Sequence, residues 1–169
     1  LGALALPLDM HTPLLSVNLQ YAGDKVTDDA LAQLTPLADH ITWLNLAGTS
    51  VTDAGLAPLA NLKKLTRLHL ERTGVGDAGL VNLKGLEHLE YLNLYGTKVT
   101  DAGLATLGEM KGLKKVYLWN SQVTKDGADK LLASRPDLYV NTGIETAPPA
   151  PETAAAPMLN LALFFDEGG

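Results

Sequence analysis

Apolar residues recur along this chain first at every second position and then at every third, and this change of spacing is repeated several times. Leu44 and Leu46 flank a polar residue, and this period of two indicates a short strand. After Val51 the apolar residues lie three apart, which indicates a turn or two of helix. The same change of period begins again at equal intervals, at Leu68, Leu92 and Val116, which defines a 24-residue period. The pattern predicts a chain built from structural repeats.

Two incomplete copies flank the four regular ones. A worn copy begins at Val17, slightly too early for the period, and a half-copy begins at Leu138, slightly too soon after Val116. A single repeat unit cannot bury its own apolar side chains, whereas stacked units cover one another. The repeats therefore predict a right-handed solenoid with a parallel sheet on one face and short helices on the other.

The repeated pattern L-x-x-L-x-x-L-x-L-x-x-T-x-V-T-D-A-G-L resembles leucine-rich repeat proteins. It is most similar to the bacterial type with T-x-V-T-D-A-G-L units, and the resemblance covers residues 14–141. The resemblance implies an α/β fold, namely a right-handed leucine-rich repeat solenoid with its parallel β-sheet on the concave face and its short helices on the convex face.

A second resemblance concerns the segments L-G-A-L-A-L-P-L-D-M and I-T-W-L-N-L-A-G-T. They are similar to the repeat regions that follow c-type cytochrome modules in some bacterial membrane-associated proteins. The chain contains no cysteine, so the haem motif of those modules is absent and no haem role is carried over. The resemblance implies a periplasmic or extracellular protein, or a peripheral subunit held at a membrane by its partners.

The turns between strand and helix repeat three kinds of residue. In one column leucine-rich repeats often have an Asn that bonds the adjoining coil. Here the column consists of hydroxyls, which are expected to satisfy buried loop amides, at Thr49, Thr73, Thr97 and Ser121. A second set is expected to cap the helices, with an Asp after it that suits the helix dipole, at Thr27, Thr52, Thr100 and Thr124. Tight backbone is expected at Gly55, Gly79 and Gly103. A calcium ladder of one Asp per coil is disfavoured, because the carboxylates would not converge on one ion.

Residues between the inward leucines of a strand point to its opposite side. Seven Trp and Tyr residues occur in the repeats, and six of them fall on this side, the exception being Tyr21. Exposed aromatics and Arg dominate protein interfaces, so this concave face is the predicted partner-binding site. Its predicted residues are Trp43, Arg67, His69, Glu71, Tyr91, Asn93, Tyr95, Lys115, Tyr117, Trp119 and Tyr139. Cross-strand packing of the rings and carbohydrate stacking remain alternatives.

Composition and charge narrow the function. The net charge of -6 disfavours nucleic acid as a general partner. Residues 61–130 nevertheless carry eleven bases and eight acids, a mildly basic stretch that could steer an acidic partner. The longest apolar runs reach about half of the roughly 20 residues that a spanning helix needs, so no membrane-spanning segment is expected. Without cysteine there is no disulfide and no thiolate metal site.

Chemistry on the predicted face is limited to one histidine. His69 near Glu71 could in principle perform acid–base work, but neither a nucleophile nor a second base accompanies it. The other histidines lack the spacing of metal ligands. We therefore expect a protein that is not an enzyme and that has no cofactor and no metal.

The ends of the chain differ from the repeats. Residues 1–15 are apolar and irregular and are expected to cap the first coil or to be the stub of an upstream segment, while residues 16–141 form the solenoid. Residues 142–157 are a Pro/Ala-rich linker. Residues 158–169 are expected to dock onto a partner or to fold back on the solenoid, through Leu159, Leu161, Leu163, Phe164 and Phe165.

These observations predict a protein–protein interaction module, an accessory subunit of an extracytoplasmic or membrane-associated complex. The partner would be another protein, with subunits of a membrane complex as candidates. Two alternatives stay open, namely a carbohydrate-binding or adhesion module and an accessory domain of a cytochrome-containing redox complex.

Overall fold

A computed structural model of the protein describes residues 4–9 and 12–143. Within them seven strands form one sheet in the order in which they occur along the chain. Strands β2 to β7 are parallel, and β1 pairs antiparallel with β2. The strands are β1 (Leu4–Asp9), β2 (Thr12–Asn18), β3 (Ile41–Asn45), β4 (Arg67–His69), β5 (Tyr91–Asn93), β6 (Lys115–Tyr117) and β7 (Tyr139–Asn141).

The connections between strands contain short helices because each repeat leaves room for only a few turns. The α-helices are α1 (Asp28–Leu31), α2 (Asp77–Leu80), α3 (Asp101–Glu109) and α4 (Lys125–Ser134). Short 3₁₀ segments occupy other positions in the connections, at Gln20–Lys25, Ala32–Leu37, Asp53–Leu56, Pro58–Asn61 and Val81–Leu83. A parallel sheet with one crossover per coil is the predicted leucine-rich repeat solenoid of α/β class, and that prediction is confirmed.

The repeat register explains how the core forms. Leu44 pairs with Leu68, Leu68 with Leu92, and Leu92 with Val116, so one apolar column runs through the solenoid. These four side chains are fully buried. Burying a leucine contributes roughly 1.5–3 kcal/mol, and each coil supplies one wall of its neighbour's pocket. The core is therefore continuous along the stack.

Two features of the ends differ from the sequence expectation. An irregular segment was expected over residues 1–15, but Leu4–Asp9 form β1, which extends the sheet beyond the first parallel strand. At the other end Val140 pairs with Val116, so the last copy keeps the full period and does not begin early at Leu138. Asp137 accordingly precedes β7 and is not part of the strand.

The repeated Asp joins neighbouring coils. Asp77 Oδ1 accepts the Thr100 backbone N–H (2.8 Å) and Asp77 Oδ2 accepts the Thr100 hydroxyl (2.6 Å). The same two bonds link Asp28 to Thr52 and Asp101 to Thr124. The Asp therefore serves the next coil as well as the first turn of its own helix.

The hydrogen bonds of the repeated threonines differ from the sequence expectation in two ways. Thr100 and Thr124 cap their helices through the hydroxyl, but Thr27 and Thr52 make no side-chain cap. Thr49 Oγ1 donates to the Leu46 carbonyl of its own coil (2.6 Å), whereas the hydroxyl was expected to satisfy buried loop amides. The equivalent bonds at the other three positions of the column are also local, from Thr73, Thr97 and Ser121.

Candidate partner-binding face

The strand register aligns equivalent positions on the outer side of the sheet. One column runs across five strands through Trp43, Arg67, Tyr91, Lys115 and Tyr139. A second column, two positions further along each strand, contains Asn45, His69, Asn93, Tyr117 and Asn141. Just beyond the strands, at the same 24-residue spacing, follow Ala47, Glu71, Tyr95, Trp119 and Gly143. We call these three columns together the aromatic face.

Rings from neighbouring coils contact one another across this face. The ring centroids are 5.6 Å apart for Trp43 and His69, then 5.0 Å for His69 and Tyr91. The series continues at 5.3 Å to Tyr117 and 6.0 Å to Tyr139. These distances lie within the range of favourable aromatic pairs, so five rings form one continuous zigzag over five strands. Cross-strand packing, the alternative interpretation of the aromatics, is therefore present.

Packing does not remove the rings from solvent. Trp119 is 46% exposed and Tyr139 is 42% exposed, whereas Trp43, Tyr91, Tyr95 and Tyr117 are partly buried. Tyr95 and Trp119 form a second pair with centroids 5.3 Å apart. The result is an ordered but accessible apolar surface, because each ring is held by its neighbour and keeps some area open.

The asparagines of the second column hold the backbone. Asn45 Oδ1 accepts the Ala47 N–H (2.9 Å), and Asn93 Oδ1 accepts the Tyr95 N–H (3.1 Å). Asn93, one of the predicted partner-binding residues, thus fixes the chain just after β5. It is partly buried and keeps some contact with solvent.

His69, Glu71 and Asn93 form a hydrogen-bonded cluster at the centre of the face. His69 Nδ1 lies 2.9 Å from Glu71 Oε1, and Asn93 Nδ2 donates to the same oxygen (2.6 Å). Within residues 12–143 the buried Glu71 Oε2 has no hydrogen-bond partner. The cluster orients the imidazole between Trp43 and Tyr91, so its geometry favours a structural or recognition role for His69.

The Tyr91 hydroxyl is shielded by its surroundings. Burial, followed by the negative charge of Glu71, raises the pKa of Tyr91 to about 12. The hydroxyl therefore stays protonated at any physiological pH and is available as a neutral hydrogen-bond donor.

Arg72 borders the aromatic face and was not among the predicted residues. Its backbone is left-handed (φ 55°), in the column where two other coils have Gly48 (φ 68°) and Gly96 (φ 66°). A side chain in that conformation costs about 1–2 kcal/mol. The guanidinium carbon lies 5.4 Å from the centroid of the Tyr95 ring, at cation–π distance. A comparison of the aligned repeats would have singled Arg72 out, because it occupies a position where two other copies have glycine.

A shallow hollow of about 430 Å³ lies at the edge of the face beside Arg72. Its lining includes Tyr95, Glu71 and Tyr21. Tyr21, the one Tyr of the repeats that was not predicted to lie on the face, is 83% exposed at this rim. The hollow is open to solvent and combines aromatic walls with one cation and one carboxylate.

The remaining predicted residues are Arg67 and Lys115, which are exposed between the rings of the first column. No group of three or more His, Asp or Glu side chains within the described part of the chain could hold a metal ion. Of the helices among residues 12–143, none is long and apolar enough to cross a bilayer. The predicted docking residues Leu159, Leu161, Leu163, Phe164 and Phe165 lie outside the described residues.

These features define a leucine-rich repeat solenoid that carries an aromatic outer face on its sheet. A protein-family profile described as Leucine Rich repeat matches residues 61–84 and 85–108, which contain β4 and β5. No curated protein matches the chain.

Solved structures similar to this chain include two internalins and a leucine-rich repeat protein. Internalin C2 of Listeria monocytogenes is 22% identical with a TM-score of 0.47, over 76% of this chain and 69% of its own. A second internalin of that organism is 18% identical with a TM-score of 0.47, over 66% and 36%. A leucine-rich repeat protein of Leptospira interrogans is 14% identical with a TM-score of 0.47, over 65% and 33%. The chain thus spans about a third of two of these structures.

Proposed function

We propose that this protein is a non-enzymatic interaction module that binds another protein through the aromatic face. The observation that carries the proposal is the continuous zigzag of five rings from Trp43 to Tyr139. Buried aromatics account for much of the binding energy at protein interfaces, and rings that are already ordered lose little entropy on binding. Repeats of this family in general serve protein–protein interaction.

The polar groups of the aromatic face would orient a bound partner. Arg67 and Lys115 stand between the rings as exposed cations, and the protonated Tyr91 hydroxyl adds a donor. Such groups fix the register of a partner over an apolar strip and speed its association. The proposed site therefore combines aromatic rings with charged groups interspersed among them, and both are residue types that protein interfaces use.

The proposal includes a place in a larger assembly. We infer from the resemblance of the repeats that the protein works outside the cytoplasm, periplasmic or extracellular, as an accessory subunit of a membrane-associated complex. Cell fractionation with an antibody against this chain tests the location. Recovery of the chain only in the cytoplasmic fraction would contradict it.

Affinity capture followed by binding measurements tests the main proposal. The chain is used to isolate its partner, and the dissociation constant is then measured for Tyr117→Ala and Trp119→Ala. Each variant is expected to weaken binding about tenfold or more, as hot-spot truncations do. Matched controls on the helical side are Val81→Ala and Leu132→Ala, which remove exposed apolar side chains from the other surface.

Two outcomes of that experiment contradict the proposal. If the controls weaken binding and the ring variants do not, the helical side is the interface. If the ring variants abolish binding to oligosaccharides and no protein partner is captured, the carbohydrate alternative is correct. A haem-containing complex among the captured proteins, seen by its absorbance, would identify the redox alternative as the setting.

We further propose that residues 158–169 help to hold the partner. Five of the last twelve residues are Leu or Phe at strand-like spacing, which suits addition to a partner's sheet. Deletion of residues 158–169 is expected to reduce recovery of the partner without changing the stability of the solenoid. Equal recovery with and without the segment would exclude this contribution.

A further inference from the structure

We propose that the hollow beside Tyr95 receives a carboxylate of an acidic segment of the partner, bound by Arg72. This inference rests on the proposed function and names the chemistry of the partner. The Arg72 backbone is left-handed at a position where the β3 and β5 coils have Gly48 and Gly96. A glycine would adopt this conformation without strain, so the fold itself gives no reason for an arginine there.

The Arg72 guanidinium is held in place yet lacks an anionic partner. It lies 5.4 Å from the Tyr95 ring centroid, which keeps it beside the hollow. Among residues 12–143 no carboxylate forms an ion pair with it, and the adjacent Glu71 bonds His69 and Asn93 instead. An arginine stacked on a ring keeps its fork of N–H donors free to bind a carboxylate through two parallel hydrogen bonds.

The charge of the surroundings favours an acidic partner. The exposed side chains Arg67 and Lys115 lie on the same face as Arg72, and Glu71 is the one carboxylate in the three columns. Residues 12–143 carry 13 bases and 14 acids, so most of the chain's net charge of -6 lies outside them, whereas this face with its border has three cations and one carboxylate and is locally positive. An acidic segment would therefore be attracted to this face, and the attraction would favour binding there.

The hollow has the shape that such a contact needs. Its volume of about 430 Å³ is bounded by Arg72, Tyr95 and the exposed ring of Tyr21. Glu71 also lines the hollow, and its Oε1 is already bonded to His69 and Asn93. The hollow is open enough to admit a side-chain carboxylate, which can accept two parallel hydrogen bonds from the guanidinium. The partner residue is therefore an Asp or Glu, with the zigzag of rings beside it for the apolar part of the segment.

The test uses fluorescently labelled polyglutamate as the probe and the full chain as the receptor. Polyglutamate should bind despite the negative net charge of the chain, and the affinity should fall as salt is raised. Arg72→Gly should weaken binding about fivefold or more, and Arg72→Lys should weaken it because an ammonium lacks the planar fork. No binding, or equal binding to Arg72→Gly, would overturn the inference.

The melting temperature of Arg72→Gly shows whether a loss of affinity comes from the missing guanidinium or from a destabilised fold. Arg72→Gly relieves the left-handed backbone, so its melting temperature should be unchanged or higher while its affinity falls. The matched control is Asn120→Gly, which relieves the same conformation (φ 57°) at a later position of that column and should leave polyglutamate binding unchanged. A fall in melting temperature with Arg72→Gly would show that the arginine is structural and would contradict the assignment.

Binding of the captured partner to the variants distinguishes a failure of the Arg72 contact from a failure of the proposed function. If the captured partner depends on Tyr117 but binds Arg72→Gly as tightly as the parent, the acidic contact is wrong and the aromatic interface stands. If neither kind of variant changes binding of the partner, the proposed function itself fails.

Discussion

Asp101 shows how one repeated side chain links a coil to the next. Its two carboxylate oxygens accept the hydroxyl and the backbone N–H of Thr124, at 2.6 and 2.8 Å. These bonds, the hydroxyl first, lower the pKa of Asp101 below its ordinary value. The contribution to stability is therefore present above the ordinary pKa and is lost as the pH falls through the lowered one.

We predict that Asp101→Asn lowers the free energy of unfolding at neutral pH and reduces the loss of stability in acid. The amide can still accept one bond but carries no charge, so protonation no longer changes it. Urea unfolding at neutral pH and at pH values below about 4 measures both effects. Asp129→Asn, which alters an exposed pair with Lys125, is the control and should change little. A variant whose acid dependence matched the parent would contradict the role of Asp101.

Much of the residue-level arrangement could be predicted from the repeats. The columns of leucines, hydroxyls and rings follow from the 24-residue period, because each column needs one residue type in every coil. The partner of each hydrogen bond could not be predicted, since a threonine hydroxyl can donate to a carbonyl of its own coil or of the neighbouring one. The left-handed backbone of Arg72 was missed because apolar periodicity says nothing of the sign of φ at a non-glycine residue.

At the scale of elements, each coil must leave space for the Asp of the coil before it. A Cβ on Gly79 would lie 2.5 Å from Asp53 Oδ1 and 3.0 Å from Leu56 Cδ1. A Cβ added at three further glycines would also lie too close to an Asp carboxylate, namely Gly55 to Asp28, Gly103 to Asp77 and Gly127 to Asp101. The glycines predicted to give tight backbone thus provide close contact between coils.

We predict that Gly79→Ala lowers the free energy of unfolding by about 1–3 kcal/mol, because the added methyl group must displace Asp53 or separate the coils. Gly85→Ala is the matched control. The nearest atom to its new Cβ is Lys63 Nζ at 3.2 Å, the end of a flexible side chain that can move away. Chemical denaturation gives the free energy of unfolding of both variants. Equal values for Gly79→Ala and Gly85→Ala would exclude the close contact between coils as a source of stability.

The last described coil is closed by one arginine. Arg135 is 5% exposed and donates to three carbonyls at the end of α3 and beyond, those of Gly108, Met110 and Leu113. It also pairs with Asp137 at 2.8 Å, and this bond lowers the pKa of Asp137. No sequence pattern pointed to this residue, because Arg135 belongs to no repeated column.

We predict that Arg135→Ala lowers the free energy of unfolding by about 2–4 kcal/mol, since three carbonyls lose their donor. Arg135→Lys should recover only part of this, because one ammonium cannot reach all three carbonyls. Lys98→Ala, an exposed change, is the control and should lie within about 0.5 kcal/mol of the parent. Faster amide exchange confined to α3 and α4 in Arg135→Ala would support the assignment, and an unchanged stability would oppose it.

The elements at the two ends were the hardest to predict. An irregular segment was expected where β1 lies, and the last copy was expected to begin early because Leu138 mimics the leucine of a strand. Within the regular copies the strands lie where the period-two pattern predicts them. Local pattern therefore suffices inside the stack, whereas its ends depend on contacts that have no repeat.

At the scale of the whole molecule, stacking of the coils aligns equivalent residues of each repeat and so forms one continuous surface. In-register coils place rings 5.0–6.0 Å apart along one side, so that aromatics far apart in the chain become neighbours. The column positions of these rings could be predicted from the repeats. The tilt of the rings and the hollow beside Arg72 could not, because both depend on packing between coils.

Site-specific photo-crosslinking in the native cell tests this account most directly. A photoreactive amino acid is placed, one position at a time, at Tyr91, Tyr117 and Tyr139 on the aromatic face and at Val81 and Leu132 on the helical side. If the aromatic face binds the partner, one discrete crosslinked protein is expected from its three positions and none from the helical side. Crosslinks from the helical positions alone would contradict it.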